Sequence, residues 1–194
     1  MSKFQGKRIT YEYTQNNVAP REKVFPLLCP VREADWVPGW QYRLIYSESD
    51  AAEHGCVFIT PNEDGTETIW MVTDYDPASF RIAYAWMNPG LVAAQIRISL
   101  SRSSEALNQT SAFIRYTYTG LSTDGNREVE RYDQTWFRHK MQSWEAAINH
   151  YLQTGKRIDA SGWEWGPWQR DLVFMPRDEI GIGIVLVPRC DTFP

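Results

Sequence analysis

The side chains able to move protons or hold metal ions are sparse in this sequence and poorly spaced for joint work. There are three histidines, His54, His139 and His150, and histidine is the usual general base near neutral pH. At about 100° and 1.5 Å per helical residue, His139 and His150 point the same way but stand about 16 Å apart, too far to share one metal. Both lie opposite the apolar stripe Phe137, Met141, Trp144, Ile148 and should face solvent. His54 precedes Gly55 between two strand-like runs and reads as an exposed turn residue. Cys29, Cys56 and Cys190 form no C-x-x-C pair, which fits reduced thiols rather than a zinc knuckle or a disulfide frame. No H-E-x-x-H, G-x-S-x-G, phosphate-binding loop or complete G-x-G-x-x-G pattern occurs, so neither a metal nor a cofactor is expected.

The carboxylates are more informative. On the same helical wheel Glu130 and Asp133 project close to the apolar stripe, one turn apart. Two partly desolvated acids so placed resist double ionisation, and one could keep a proton and act as a general acid. The competing reading is that the helix starts later and both are solvated in the loop before it. Arg32, Glu33 and Asp35 cluster beside Trp36, where Arg32 would pair locally with a carboxylate or, with Glu33, hold a polar ligand head. Arg97 and Arg115 alternate with apolar neighbours and should lie on the solvent side of a sheet.

These residues are carried by a readable order of elements. Arg8 to Thr14 is a first strand; Pro20 opens a short helix that Pro26 limits, and Pro30 opens a second one ending near Trp36. Strand-like runs follow at Trp40 to Ser47, Cys56 to Thr60, Glu67 to Asp74, Phe80 to Met87, Leu91 to Ser101 and Ser111 to Thr119. Val92, Ala94, Ile96, Ile98 and Leu100 share one face, and Phe80, Ile82, Tyr84 and Trp86 line up likewise. The short connections leave no room for parallel crossovers, so the sheet is antiparallel. After Thr123 the period changes to about 3.6, predicting one long amphipathic helix over residues 129–152, with Asp124 to Asn126 as its capping turn and Gly155 closing it. A sheet curved around that helix would bury its stripe and leave a hollow.

The 194 residues fit one domain with an appendage. A formal charge of -4 supplies no basic field for nucleic acid. No stretch approaches the roughly 20 apolar residues of a membrane-spanning helix, and the N-terminus lacks an apolar signal core, so no membrane insertion and a cytoplasmic location are expected. Nine Trp, ten Tyr and eight Phe give much ring surface. Trp36, Trp40, Trp70, Tyr84, Trp86, Tyr116, Tyr118 and Trp136 are the ring inventory of core and pocket, joined by Phe137 and Met141 on the helix stripe. Their Tyr hydroxyls and Trp N–H groups would be the few polar handles in an apolar site.

The element order, with VFPLLCPVREADWVPGW (residues 24–40), TIWMVTDYDP (68–77) and SWEAAINHYLQTG (143–155), resembles the START/SRPBCC helix-grip superfamily, in particular bacterial polyketide cyclase/dehydrase-like and lipid-transport-like members. The resemblance implies an α+β fold, a curved antiparallel sheet of about seven strands wrapped around a long C-terminal helix, with two short helices after the first strand. It also implies a pocket for a hydrophobic small molecule, with the Glu33 helix at its entrance. Residues 1–155 would form this domain. Residues 156–194, with Trp163, Trp165, Trp168 and the alternating run Ile180 to Val187, would be an extension packed on the domain or on a partner subunit in a homodimer.

Three functions follow from this reading. The first is binding of a lipid-like, aromatic or polyketide-like molecule. The second is an enzyme of cyclase, dehydratase or hydrolase type, in which Glu130 or Asp133 moves a proton while Tyr or Trp donors hold an oxyanion. The third is a protein-interaction or chaperone-assisting module that uses the Trp-rich extension.

Overall fold

The computed structural model describes residues 3–159, apart from 63 and 105. Seven strands form one antiparallel sheet: β1 (Arg8–Asn17), β2 (Arg43–Tyr46), β3 (Val57–Pro61), β4 (Glu67–Asp76), β5 (Arg81–Asn88), β6 (Val92–Arg102) and β7 (Thr110–Gly120), in the order β1-β7-β6-β5-β4-β3-β2. Four helices accompany it: α1 (Arg21–Val24), α2 (Pro30–Trp36), α3 (Thr123–Arg131) and α4 (Gln134–Thr154), with a 3-10 turn over Phe25–Leu28. Pro20 stands just before α1, Pro26 lies in the 3-10 turn, and α2 begins at Pro30 and ends at Trp36 as expected. The second strand is shorter than expected and begins at Arg43. Trp40 is turned back by its indole N–H, which donates to the Pro30 carbonyl at 2.8 Å.

The single long helix predicted over residues 129–152 is in fact two. At Tyr132 the backbone leaves the helical region, and Asp133 caps α4 by accepting the Trp136 N–H at 2.8 Å. Nor is α3 capped by Asp124 to Asn126. Ser122 accepts the Gly125 N–H, and Asn126 reaches across to the N-terminal strand, accepting the Lys7 N–H at 2.7 Å and donating to the Gln5 carbonyl at 3.1 Å. Gly125 permits this docking, because a Cβ there would stand 1.8 Å from the Leu91 carbonyl oxygen. At its other end α4 closes on Gly155, in the left-handed conformation at φ 68°.

The helix stripe and the inner face of the sheet make one core. Phe137, Met141 and Ile148 of α4 are almost fully covered, as are Phe58, Val72, Ile82, Val92 and Tyr118 of the sheet. Alternation persists across the strands: Val92, Ala94, Ile96 and Leu100 are buried while Gln95 and Arg97 are exposed. No helix among the described residues is long and apolar enough to cross a membrane. The tryptophans at 163, 165 and 168, the run Ile180 to Val187 and Cys190 lie outside the described residues.

Candidate functional site

Antiparallel register lays the inner-face side chains out in rows. One row crosses five strands as Val72, Tyr84, Ile96, Tyr116 and Tyr11. Its neighbour crosses six as Phe58, Trp70, Trp86, Ala94, Tyr118 and Ile9. In the second row Phe58 stacks on Trp70 with centroids 5.4 Å apart, Trp70 leans on Trp86 at 5.8 Å, and Trp86 meets Tyr118 edge-on at 6.1 Å. The path continues from Tyr118 to Trp136 at 5.9 Å, and Trp136 stacks on Tyr132 at 4.6 Å. The first row joins α4 where Tyr116 meets Phe137 at 5.4 Å, with Met141 fully buried one turn on. Ten expected ring and helix positions thus sit in the core, Trp40, Trp70 and Trp86 half-buried and the others covered.

Several of the polar handles expected on these rings are already occupied. The Trp36 N–H donates to the Leu27 carbonyl at 2.8 Å, and the Trp70 N–H to the Thr60 hydroxyl at 3.0 Å. Trp36 and Trp40 both stand edge-on to Trp144, at 5.3 and 6.4 Å. These ring contacts anchor α2 and the turn after it against α4. The Tyr84 hydroxyl donates to the Leu28 carbonyl at 2.5 Å, fastening the 3-10 turn to the sheet.

Glu33 is the exception to this satisfied interior. It projects inward from α2 in step with Pro30 and Trp36 and is only 8% exposed. Its carboxyl makes neither a hydrogen bond nor an ion pair among the described residues, and burial alone pushes its pKa well above the usual carboxylate range. The Glu33 charge acts on the hydroxyls of both Tyr84 and Tyr116, two members of one row. Burial first, and then Glu33, pushes both phenols above their ordinary value. The Tyr116 hydroxyl also makes no hydrogen bond among the described residues; that side chain is 5% exposed and is held by ring contacts. From α4, Lys140 lies against the same ring, its Nζ 5.1 Å from the Tyr116 centroid and 5.2 Å from that of Trp136. Lys140 was missed in the sequence, although its position between Phe137 and Trp144 puts a cation beside the apolar stripe.

The proposed acid pair is placed elsewhere. Glu130 is exposed on α3 and paired with Lys7, which holds its carboxyl below the ordinary range. Asp133 is exposed and is the α4 cap. The helix break between them removes the shared phase that the wheel assumed. Asp35 pairs with Arg32 at 2.6 Å on the outer side of α2, leaving Glu33 alone inside. His54 and His139 are exposed, and no cluster of potential metal ligands occurs among the described residues.

On the opposite, convex face a groove of about 510 Å³ is lined by Asp74, Arg81, Gln95, Arg97 and Arg115 over Ala83. Arg81 and Arg115 are paired there with Asp76 and Glu12. Arg97 and Arg115 thus face outward as expected, and this polar groove is separate from the ring-lined side.

No family model and no curated protein matches the sequence. Solved structures do match in fold. Norcoclaurine synthase from Thalictrum flavum, in complex with dopamine and hydroxybenzaldehyde, superposes with a TM-score of 0.57 at 12% identity, over 78% of this chain and 90% of that one. Ara h 8.0201 gives 0.54 at 13% identity, over 76% and 99%. DynU16, from the dynemicin biosynthetic locus, gives 0.51 at 18% identity over 76% of this chain, which spans 48% of its length. A seven-stranded antiparallel sheet packed against a long helix, shared with these proteins across most of the described residues, is the helix-grip fold, and this chain has that fold.

Proposed function

We propose that the chain binds an apolar small molecule, aromatic or polyketide-like, on the concave side of the sheet beneath α2 and α4. One observation carries the reading: among the described residues, the buried Glu33 carboxyl and Tyr116 phenol have no hydrogen-bond partner in an interior walled by rings. Burying a polar group unpaired costs on the order of 1–3 kcal/mol, so an interior that holds such groups gains when something enters to meet them. An interior of rings with few polar groups is the usual make-up of a small-molecule site. Norcoclaurine synthase, alike in fold, is a protein solved with two small aromatic molecules, which supports the same ligand class here. Transformation of such a ligand by Glu130 and Asp133 gains no support from their exterior placement.

The test is a thermal-shift screen of the whole chain with aromatic and lipid-like compounds. A ligand at about a hundred times its Kd stabilises the folded state by about 2.7 kcal/mol and raises Tm. Trp136→Ala should weaken the shift, and so should Tyr84→Phe, which frees the Leu28 carbonyl. A broad library that moves Tm nowhere would reject the reading.

A further inference from the structure

The groove on the convex face is a second concavity, independent of the ring-lined side. One outward row of side chains crosses it as Asp74, Ala83, Arg97, Arg115 and Glu12, and the next row as Asp76, Arg81, Ser99, Phe113 and Thr14. Two of its three arginines face an acid in register and pair with it, Arg81 with Asp76 at 2.9 Å and Arg115 with Glu12. Arg97 faces none. Its cross-strand neighbours are Ala83 and Arg115, its neighbours along the same face of β6 are Gln95 and Ser99, and it makes no ion pair or side-chain hydrogen bond among the described residues. Asp74 is the one carboxylate lining the groove among those residues, and it stands two strand spacings from Arg97, about 10 Å between Cα atoms, beyond Ala83. Like charges directly opposite on neighbouring strands destabilise a sheet, so Arg97 against Arg115 is a cost that the fold leaves uncompensated.

We propose that this groove binds a phosphate group, centred on Arg97 and flanked by Arg81 and Arg115. Each paired guanidinium has five N–H donors and has committed only part of them to its acid, so both keep donors for a ligand. With the Ser99 hydroxyl and the Gln95 amide on either side of Arg97, donors from three strands line one concavity of about 510 Å³. Donors arriving from several strands suit a tetrahedral oxyanion, and a phosphate with its charge spread over its oxygens meets them by charge-assisted hydrogen bonds. Asp74 in the groove and Asp76 and Glu12 behind it set an upper limit on size, because an extended polyanion such as nucleic acid would run against all three carboxylates. The ligand is therefore free phosphate or a small phosphorylated molecule. Phe113, 38% exposed at the groove with the Arg115 guanidinium 5.7 Å from its ring centroid, offers an apolar surface to the second of these.

The arginine Nε–H signals in nuclear magnetic resonance report the site directly, in a titration of the full chain with inorganic phosphate at constant low ionic strength. The Arg97 signal should move along a saturating curve. Arg8, on β1 and bonded to the Thr119 hydroxyl outside the groove, is the internal control and should stay in place. Arg97→Gln should weaken phosphate binding about tenfold, the value of one charge-assisted hydrogen bond, without lowering Tm, since it removes an exposed charge that faces another of the same sign. Asp74→Asn should tighten binding, a gain that a damaged fold could not produce. Phenyl phosphate separates the two sources: tighter binding than inorganic phosphate, lost in Phe113→Ala, identifies a small phosphorylated molecule, and equal binding identifies free phosphate. A linear response shared by Arg8 and matched by chloride, or unchanged phosphate binding in either Arg97→Gln or Asp74→Asn, overturns the site. The thermal-shift screen with apolar compounds is indifferent to all of these outcomes, so the two proposals stand or fall separately.

Discussion

Glu33 makes the stability of the empty protein depend on pH in a direction opposite to most carboxylates. In the unfolded chain a glutamate titrates near about pH 4.3. In the folded chain burial raises that value, so between the two the folded state holds a proton that the unfolded state has released. Stability then falls as pH rises through this window. Glu33→Gln should remove the dependence, and its Tm advantage over wild type should widen from about pH 4.3 upward; a constant gap across a pH series would contradict the assignment. The acid was visible in the sequence as one of several charged residues. Its inward direction could have been read from phase, since Cys29, Glu33, Trp36 and Val37 recur at helical spacing and the other three are core residues. Its isolation could not, because that depends on Arg32 choosing Asp35 and on strands far away in sequence.

Among the elements, strands and proline-opened helices were legible because alternation and Pro positions are local properties. The break at Tyr132 was not. Val129, Trp136 and Phe137 continue an apolar pattern across it, and only the cap made by Asp133 ends the pattern's continuity. Asp133→Ala should therefore act on the start of α4, lowering stability by about 1 kcal/mol in a denaturant titration, with little effect on the interior. Glu130→Gln, on the exposed face of α3, should leave Tm nearly unmoved. The close approach of α3 to the sheet gives the larger effect: Gly125→Ala drives a methyl into the Leu91 backbone and should cost about 3 kcal/mol, the upper range for overpacking. A Gly125→Ala protein as stable as wild type would mean that α3 docks differently.

At the scale of the molecule, the described residues already contain a seven-stranded sheet, its covering helices and one core. Truncation after Asp159 should leave cooperative unfolding in place, read by circular dichroism. If the extension supports a homodimer, as its tryptophans suggest, the truncated chain should elute later than the full chain by more than its lost mass explains. The sheet's two margins differ in how they are finished. At the end of β1, two residues one turn apart on α4 take up backbone groups on its outer side: Glu145 accepts the Asn16 N–H at 3.1 Å, while Asn149 accepts the Val18 N–H at 3.1 Å and donates to the Asn16 carbonyl at 2.8 Å. That end of the margin is closed to a foreign strand, whereas the margin at β2 is kept short, four residues with an irregularity in register. Replacing Glu145 and Asn149 together with alanine would strip the cover from that end of β1 and lengthen the strand edge open to pairing, and the cost would appear less as lost folding than as clumping in concentrated solution.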